Sequence, residues 1–228
     1  HHAVNPIYLD KNLGQILSIW DRMFGTYQEE LDDVPPVYGV TMPARTWNPI
    51  KINFQHLFLL FKDAWRTNKW SDRFWIFFGR TGWRPEGFRE KYPTNSIKDV
   101  HNFQKYETPT TKAIVAWSWF QYTMMFLLTL YFLANFKSIG NTGVFLNALL
   151  VFVIIYGYTT VMDRDTNAIW IEAFRAAFGL TLLFQTGDWF GLDAIVPGAS
   201  IFLFFYFISA PLAAWYFTKK EVLQPQVS

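Results

Sequence analysis

The 228-residue sequence contains no cysteine, and charged residues make up only 17% of it. Without cysteine there is no disulfide framework, no thiolate nucleophile and no cysteine-ligated zinc or iron–sulfur site, so a metal ion would need His, Asp or Glu ligands. The formal net charge of +2 lacks the basic excess expected of a nucleic-acid-binding protein. The sequence also has no glycine-rich phosphate loop and no strand-like alternation.

Apolar and aromatic residues dominate instead, since 51% of the chain is hydrophobic and 20% is aromatic. A disordered chain lacks the aromatic residues needed to bury surface, so this composition excludes one. Charge is distributed unevenly, because residues 1–112 contain 15 of the 20 Lys and Arg and 12 of the 18 Asp and Glu. The sequence therefore predicts a water-compatible region over 1–112 and a strongly apolar region over 113–228.

The apolar region contains three uncharged runs, each as long as the roughly 20 residues that a helix needs to cross a ~30 Å hydrocarbon core. They are 113–136, 143–162 and 194–217. A fourth segment, 169–187, contains Glu172 and Arg175, which can pair at the i, i+3 spacing of a helix. The predicted fold class is therefore all-α, a polytopic membrane protein with about four transmembrane helices.

Four spans also satisfy the positive-inside rule, by which Lys and Arg accumulate on the cytoplasmic side of a membrane. With four spans, Arg164, Lys219 and Lys220 lie on the same side as residues 1–112, and Lys137 lies on the other. With three spans the basic C-terminal tail would lie on the wrong side. Residues 1–112 and the C-terminus are therefore predicted to be cytoplasmic.

In the polar region, helical patterns alternate with proline-containing turns, which predicts an amphipathic cytoplasmic segment. A helix over 52–70 has one apolar stripe, formed by Phe54, Leu57, Phe58, Phe61 and Trp65. That stripe predicts contact with a membrane surface or with partner helices. A shorter helix is predicted around 16–24, with Asp10 or Asn12 as its cap and Gly25 at its end.

The sequence contains only four histidines, and they give no assignable Ser-His-Asp arrangement. His101 lies in a polar stretch and is predicted to be a solvated surface residue. His56 lies beside the apolar stripe, where a hydrogen bond at a protein interface is favoured over contact with a metal ion or substrate. His1 and His2 are adjacent, as in an affinity-tag remnant, but the residues that follow argue against that origin.

Residues 1–27 resemble the end of the last histidine box in the fatty acid hydroxylase/sterol desaturase superfamily. That pattern continues from adjacent histidines into a turn of the form D-x-N-x-G, matched here by Asp10, Asn12 and Gly14. A helix ending W-D-R-[LM]-F-G-T-[FY] follows in the family, and residues 20–27 match it. The pattern is long and specific.

Later stretches are similar to one branch of that superfamily, the alkylglycerol monooxygenase-like proteins. They are 38–41, 53–57, 79–83 with Pro85, and 105–106 with Pro109, before a block of additional C-terminal spans. The spans match mainly in hydrophobicity. Residues 1–112 therefore contain the end of the histidine-box region and nearly all of the residues that match the family's motifs.

The resemblance implies a membrane-bound enzyme in which clustered histidines hold two irons, a metal that suits neutral imidazole ligands and activates O₂. By position, His1 and His2 match the last two ligands of the final box. Asn5, Asp10 and Asn12 follow closely, and orienting a ligand imidazole through its other N–H is one role for them. The alternative is that Asp10 and Asn12 shape the turn and cap the next helix.

The reaction that the resemblance implies is hydroxylation of the carbon next to the ether oxygen of an alkylglycerol membrane lipid. The hemiacetal product then falls apart to an aldehyde and glycerol. Tetrahydrobiopterin is the electron donor linked to this branch. The alternative within the superfamily is a sterol desaturase or fatty-acid hydroxylase that draws electrons from NAD(P)H through a redox partner. From a different class, a non-catalytic membrane scaffold or lipid-binding protein stays open.

The remaining histidines of the family pattern are expected upstream of His1. One would lie three residues before it, and two further boxes have the forms H-x-x-x-H and H-x-x-H-H. Two histidines do not complete a di-iron site. The expectation is therefore that this chain is the C-terminal part of a longer enzyme and is inactive by itself.

Overall fold

The computed structural model describes residues 1–14, 16–80, 82–94, 96–97, 99, 101–102 and 105–221. Thr81, within the 79–83 stretch, and residues 222–228 of the apolar region lie outside the described residues. Regular structure in the described part is helical, with only isolated bridges joining Ala3 to Tyr38 and Leu31 to Val34. The all-α prediction is confirmed.

The described residues form seven α-helices: α1 (Ser18–Phe24), α2 (Pro49–Arg66), α3 (Trp70–Phe78), α4 (Phe88–Lys91), α5 (Lys112–Met162), α6 (Ala168–Thr186) and α7 (Ala199–Trp215). A 3₁₀ turn, Leu192–Ala194, precedes α7, and a π-helical turn, Tyr216–Lys220, continues it. The chain divides into two compact units. The histidine unit contains residues 1–45 and 55–106, and the membrane unit contains residues 46–54 and the chain from 107 onward.

Three helices of the membrane unit are long and apolar enough to cross a membrane, namely α5, α6, and α7 with its π-helical turn. They confirm the prediction of a polytopic membrane protein. At 1.5 Å per residue, the 51 residues of α5 would extend about 76 Å, more than twice a ~30 Å hydrocarbon core. The helix is interrupted at Asn135 and Gly140, whose backbone angles are not helical.

This interruption lets α5 fold back on itself as a hairpin. Ile114, near the start of α5, and Val161, near its end, lie in the same buried cluster with residues of α6 and α7. A larger core contains side chains from both arms of α5, from α6 and from α7. Four membrane-length segments are therefore present: the α5 arms 112–134 and 141–162, then α6 and α7.

The last span begins later than the sequence predicts. The helix starts at Ala199 rather than at residue 194. Asp193 accepts a hydrogen bond from the Ser200 backbone N–H at 3.0 Å, which satisfies one of the free N–H groups at the start of α7. The N-cap residue is Gly198, with φ +84°, so the helix begins only after the turn that Asp193 and Gly198 belong to.

In the histidine unit, α1 is shorter than the apolar pattern over 16–24 predicts, and the prediction that Asp10 or Asn12 caps it is wrong. Leu17 is the N-cap residue and makes no side-chain cap hydrogen bond, while Gly25 ends the helix as predicted. Asp10 and Asn12 have φ angles of +57° and +53°. They therefore form a turn before the helix instead of its first turn.

The helix predicted over 52–70 ends earlier, at Arg66, and a separate helix, α3, begins at Trp70. The Thr67 carbonyl accepts two hydrogen bonds from the Arg73 guanidinium, both at 3.2 Å, which holds the chain in a bend between the helices. The apolar stripe of α2 lies outward, with Trp65 89% and Phe61 58% exposed. Such exposure is typical of a helix that contacts a membrane surface or a partner.

Candidate functional site

His1 and His2 begin an extended segment that is anchored to a later loop. The Val4 N–H donates to the Val37 carbonyl at 2.8 Å, and the Gly39 N–H donates to the His2 carbonyl at 2.9 Å. Both imidazoles are exposed, and their ring centroids are 4.0 Å apart. The anchored backbone therefore presents two neighbouring imidazoles at the surface of the histidine unit.

A small cavity of about 110 Å³ adjoins His1, and its wall includes Tyr8, Gln28 and Glu30. In the described part of the chain, no three His, Asp or Glu side chains are grouped closely enough to hold a metal ion. The structure therefore brings together the two imidazoles that the resemblance singles out, without a third ligand from the described residues.

Asn5 and Asn12 bond to backbone groups of the surrounding loops. Buried Asn5 donates to the carbonyl of residue 35 at 3.2 Å and accepts from the N–H of residue 37 at 2.7 Å. Asn12 donates to the Gln28 carbonyl at 2.7 Å and accepts from the Gln28 N–H at 3.1 Å. Asp10 is exposed. The two amides thus fix the loops that adjoin the histidine segment.

Asp21 is a buried carboxylate whose role the sequence did not reveal. One of its oxygens accepts from the Thr26 hydroxyl at 2.7 Å and from the Leu13 N–H at 2.8 Å, and the other accepts from the Gly14 N–H at 2.9 Å. The Thr26 hydroxyl, followed by the Gly14 and Leu13 N–H groups, lowers the pKa of Asp21 below its ordinary value. Two residues of the W-D-R-M-F-G-T-Y stretch, Asp21 and Thr26, therefore stabilise this turn.

The membrane unit contains a buried polar cluster contributed by three helices. Arg175 Nε lies 2.8 Å from Glu172 Oε2, in the i, i+3 pair that the sequence predicts. Gln121 Oε1 accepts hydrogen bonds from the Arg175 guanidinium and from the Tyr206 hydroxyl, both at 2.8 Å. The four side chains are each at most 3% exposed. The sequence indicated only the Glu–Arg pair, because its spacing lies within one helix.

A network around Arg164 closes one end of the membrane unit. The guanidinium donates to the Pro109 carbonyl at 2.7 Å and to the Phe217 carbonyl at 2.8 Å, and it pairs with Glu221. Glu221 also accepts a hydrogen bond from the Thr111 hydroxyl at 2.7 Å. The segments before α5, between α5 and α6, and after α7 are thereby held together.

Beside this network, an apolar cavity of about 530 Å³ lies between the two arms of α5. Its wall includes Ile114 and Trp119 from one arm and Tyr158 from the other, together with the hydroxyl-bearing Thr108 and Thr110. A mostly apolar wall with a few polar groups is typical of sites for small ligands. Trp and Tyr at helix ends are typical of the membrane interface.

Comparison with curated proteins shows that the chain is similar to alkylglycerol monooxygenases. The human protein is 27% identical over 204 residues, which cover 88% of this chain and 44% of the human protein. The Danio rerio protein is 28% identical over 189 residues, covering 80% and 40%. The Xenopus tropicalis protein is 39% identical over 85 residues, covering 37% and 19%. The resemblance to the alkylglycerol monooxygenase-like branch is confirmed.

The chain spans less than half the length of the curated relatives it matches. No family model matches it, and no solved structure matches it. Its three membrane-length helices, together with these relatives, identify an integral membrane protein.

Proposed function

We propose that this chain forms part of a membrane-bound lipid monooxygenase of the alkylglycerol monooxygenase type, in which a non-haem di-iron centre uses O₂ to hydroxylate an O-alkyl glycerol lipid. The observation that carries the proposal is the similarity to the human alkylglycerol monooxygenase over 88% of the chain. The apolar helices of the membrane unit support it, because a lipid substrate reaches its enzyme from the bilayer. The activity is assigned to the whole enzyme, since the chain matches only 44% of that relative.

His1 and His2 are the residues of this chain that would hold iron. Both imidazoles are exposed and adjacent, and neutral imidazole suits Fe(II), so they fit as two members of a larger histidine set. Bound iron would supply the activation of O₂. Two imidazoles do not complete a di-iron centre, so the other ligands are assigned to polypeptide outside these 228 residues. The chain alone is therefore expected to be inactive.

Asn5 and Asn12 act in this proposal as positioning residues for the histidine segment. Asn5 joins that segment to the backbone of residue 37, and Asn12 joins its turn to Gln28. Because both amides already bond to backbone, they hold the imidazoles through the loops and not through a direct bond. Asp10, exposed in the same turn, is proposed to accept a hydrogen bond from a ligand imidazole in the complete enzyme.

The apolar cavity between the arms of α5 is proposed to hold the alkyl chain of the lipid substrate. Its volume of about 530 Å³ falls within the usual range for small-ligand sites, roughly 300–1,000 Å³. The hydroxyl-bearing Thr108 and Thr110 in its wall suit the polar glycerol end of such a lipid. The cavity lies beside the Arg164 network, and its wall contains Trp119 and Tyr158, residue types that are enriched at the headgroup level of a membrane.

Electron supply and orientation complete the proposal. Tetrahydrobiopterin is the donor that the resemblance implies, and a redox partner drawing on NAD(P)H is the alternative. Residues 1–112, which contain the end of the histidine-box region, are assigned to the cytoplasm. The helices of 113–228 anchor them in the membrane, and the C-terminus is also assigned to the cytoplasm. The positive-inside rule supports this orientation, because four spans place Arg164, Lys219 and Lys220 on the same side of the membrane as residues 1–112.

The test uses the full-length enzyme, purified with and without substitutions at the two histidines. His1→Ala and His2→Ala should each lower the iron content and abolish oxidation of an alkylglycerol lipid, since each removes one ligand. His101→Ala is the matched control, because His101 is exposed in a polar loop and should leave both readouts unchanged. Elemental mass spectrometry of bound iron reports on the site independently of turnover.

Two results would favour the alternatives. A full-length protein that loses iron with the histidines, but oxidises a sterol or a fatty acid and not an alkylglycerol, would be a sterol desaturase or fatty-acid hydroxylase. A full-length protein that folds, holds no iron and is indifferent to both substitutions would be a non-catalytic scaffold or lipid-binding protein.

A further inference from the structure

A polar cavity of about 320 Å³ lies in the histidine unit, and its wall includes neither His1 nor His2. Its wall is formed by one face of α2 together with Met42, Pro43 and Arg45 before that helix and Arg84 and residues 92–94 after it. Four cationic side chains line it, namely Arg45, Lys62, Arg66 and Arg84, and its described lining residues include no carboxylate. The proposed oxygenase makes no use of this cavity.

Arg84 is the one of these cations whose charge is balanced. Its guanidinium forms a bidentate pair with Asp63, at 2.7 and 2.9 Å, and the two side chains are 9% and 3% exposed. Another N–H of Arg84 donates to the Tyr92 carbonyl at 2.8 Å. Because both oxygens of Asp63 are bonded to Arg84, this pair fixes one wall of the cavity and leaves the other cations unneutralised.

Arg45, Lys62 and Arg66 form no ion pair with a carboxylate in the described part of the chain. Arg66 lies over the Tyr92 ring, 4.2 Å from its centroid, which orients the guanidinium without cancelling its charge. Three like charges around one cavity repel one another, and an anion that enters offsets this repulsion. The charge of the cavity therefore favours an anionic ligand.

We propose that this cavity binds a phosphate group, held by Arg45, Lys62 and Arg66. Guanidinium groups match the geometry of phosphate oxygens with pairs of N–H donors, and Lys adds a compact positive charge. A volume of about 320 Å³ is at the small end of ligand sites and suits one phosphate with part of its ester substituent. The Tyr92 face is already covered by Arg66, which disfavours stacking of a nucleotide base there.

The place of the cavity on α2 favours a lipid headgroup as the source of the phosphate. Lys62 and Arg66 directly follow Phe61 and Trp65, so the basic face is rotated by about 100° from the apolar stripe. Trp65 is 89% and Phe61 58% exposed. A helix of this kind lies at the membrane interface, where its basic side chains attract anionic headgroups. A soluble phosphate has the same charge, so the experiment separates the two sources.

The test measures binding to the full-length protein in nonionic detergent by isothermal titration calorimetry. The probes are dioctanoyl phosphatidic acid, inorganic phosphate and, as a comparison without phosphate, dioctanoylglycerol. Arg45→Gln combined with Lys62→Gln should weaken binding of phosphatidic acid by about tenfold or more, because it removes two charge-assisted contacts. Lys69→Gln combined with Arg80→Gln removes the same charge at exposed positions outside the cavity and should bind like the unsubstituted protein.

The charge-preserving variant Arg45→Lys with Lys62→Arg should retain most of the binding, which distinguishes lost contacts from lost folding. If inorganic phosphate binds and shows the same dependence on the two cations, the free anion is sufficient. If only phosphatidic acid does so, the lipid is the source, and either result supports the phosphate site. Absence of binding by both phosphate probes, equal losses in the cavity and control variants, or equally tight binding of dioctanoylglycerol would overturn it.

Discussion

The buried Asp21 carboxylate shows how one residue determines local backbone structure in the histidine unit. It is 3% exposed and accepts hydrogen bonds from the Thr26 hydroxyl and from the Leu13 and Gly14 N–H groups. These N–H groups lie in the turn before α1, where no helix or strand supplies them with acceptors. The ionised form of Asp21 therefore stabilises the turn that connects the histidine segment to α1.

We expect Asp21→Asn to loosen this turn at neutral pH, because an amide offers one acceptor oxygen where a carboxylate offers two. The hydrogen bonds from Thr26, Gly14 and Leu13 lower the pKa of Asp21 in the folded protein. Stability from a lowered pKa is present above the unfolded value and is lost as the pH falls through the folded value. Hydrogen exchange of the Leu13 and Gly14 amides should be faster in the variant at pH 7, and the difference should shrink below the ordinary pKa of 3.8.

Asp33→Asn is the matched control, because it makes the same change of charge at an exposed position of the histidine unit. It should leave the exchange of the Leu13 and Gly14 amides unchanged at every pH. Equal exchange rates in Asp21→Asn and the unsubstituted protein at pH 7 would contradict the role assigned to this carboxylate.

At single residues, the sequence predicts which positions matter better than it predicts what they do. The D-x-N-x-G pattern marks Asp10 and Asn12, yet their predicted capping role is wrong, because Asn12 bonds to Gln28 and α1 begins only at Ser18. Asp21 belongs to the W-D-R-M-F-G-T-Y stretch that follows, but its hydrogen bonds reach five to eight residues along the chain. A pattern of residue types does not encode such a turn, since a carboxylate is most often a surface group.

Among the elements, α5, α6 and α7 are joined by the buried cluster of Gln121, Glu172, Arg175 and Tyr206. A side chain at Gly157 would overlap the Glu172 carboxylate, so this glycine lets the second arm of α5 approach α6 closely. Buried charges are costly unless they are paired. The cluster therefore favours one arrangement of the three helices over others with equal apolar burial.

We expect Arg175→Met to lower the free energy of unfolding by about 3 kcal/mol, because it leaves the Glu172 charge buried and unpaired. Combining Glu172→Gln with Arg175→Met removes both charges and should cost clearly less than the single change. Unfolding in mixed micelles, followed while the fraction of sodium dodecyl sulfate is increased, measures both differences.

Phe174→Leu is a control on the same helix, since Phe174 is 56% exposed and is not among the four side chains of the cluster. It should change stability by only a few tenths of a kcal/mol, as surface substitutions usually do. If the single and double variants at 172 and 175 lost equal stability, the pairing of the charges would not be the source of the effect.

The hairpin of α5 depends on Gly140, which has φ +74° and ψ 164°. This region of backbone space is essentially restricted to glycine, and other residues pay about 1–3 kcal/mol there. Gly140→Ala should therefore destabilise the membrane unit by that amount in the same micelle titration. Asn141→Ala, at the next and exposed position, is the control. Equal stability of the two variants would show that the turn tolerates a side chain.

The existence of the membrane-spanning elements was predictable, but their ends were not. Long uncharged runs predict the crossings because length and hydropathy are properties of the chain itself. The start of α7 depends on the Asp193 side chain, and the break after α2 depends on the bonds between Arg73 and Thr67. These are hydrogen bonds between a side chain and the backbone six or seven residues away, which residue periodicity does not contain.

For the whole molecule, the membrane unit has two distinct ends. At one end, Arg164, in the α5–α6 turn, bonds to the segment before α5 and to the end of α7. The turn within α5 and the α6–α7 loop lie at the other, where the Tyr131 hydroxyl donates to the Phe190 carbonyl at 2.7 Å. An even number of crossings follows, so the chain before α5 and the chain after α7 emerge on the same side. The uneven charge of the sequence predicts this arrangement, whereas the residues that hold each end together were not predictable.

The absence of cysteine from these 228 residues makes this topology directly measurable, because a single introduced thiol is their only site for a membrane-impermeant maleimide once any cysteine outside them has been replaced. Asn141→Cys, at the turn within α5, and Thr166→Cys, in the α5–α6 turn, are both exposed positions. In intact cells we expect labelling of Asn141→Cys from outside and of Thr166→Cys only after permeabilisation, because the basic ends face the cytoplasm. Labelling of both from one side would contradict the hairpin. The reverse pattern would preserve the hairpin and place the histidine unit on the opposite side of the membrane from the one proposed.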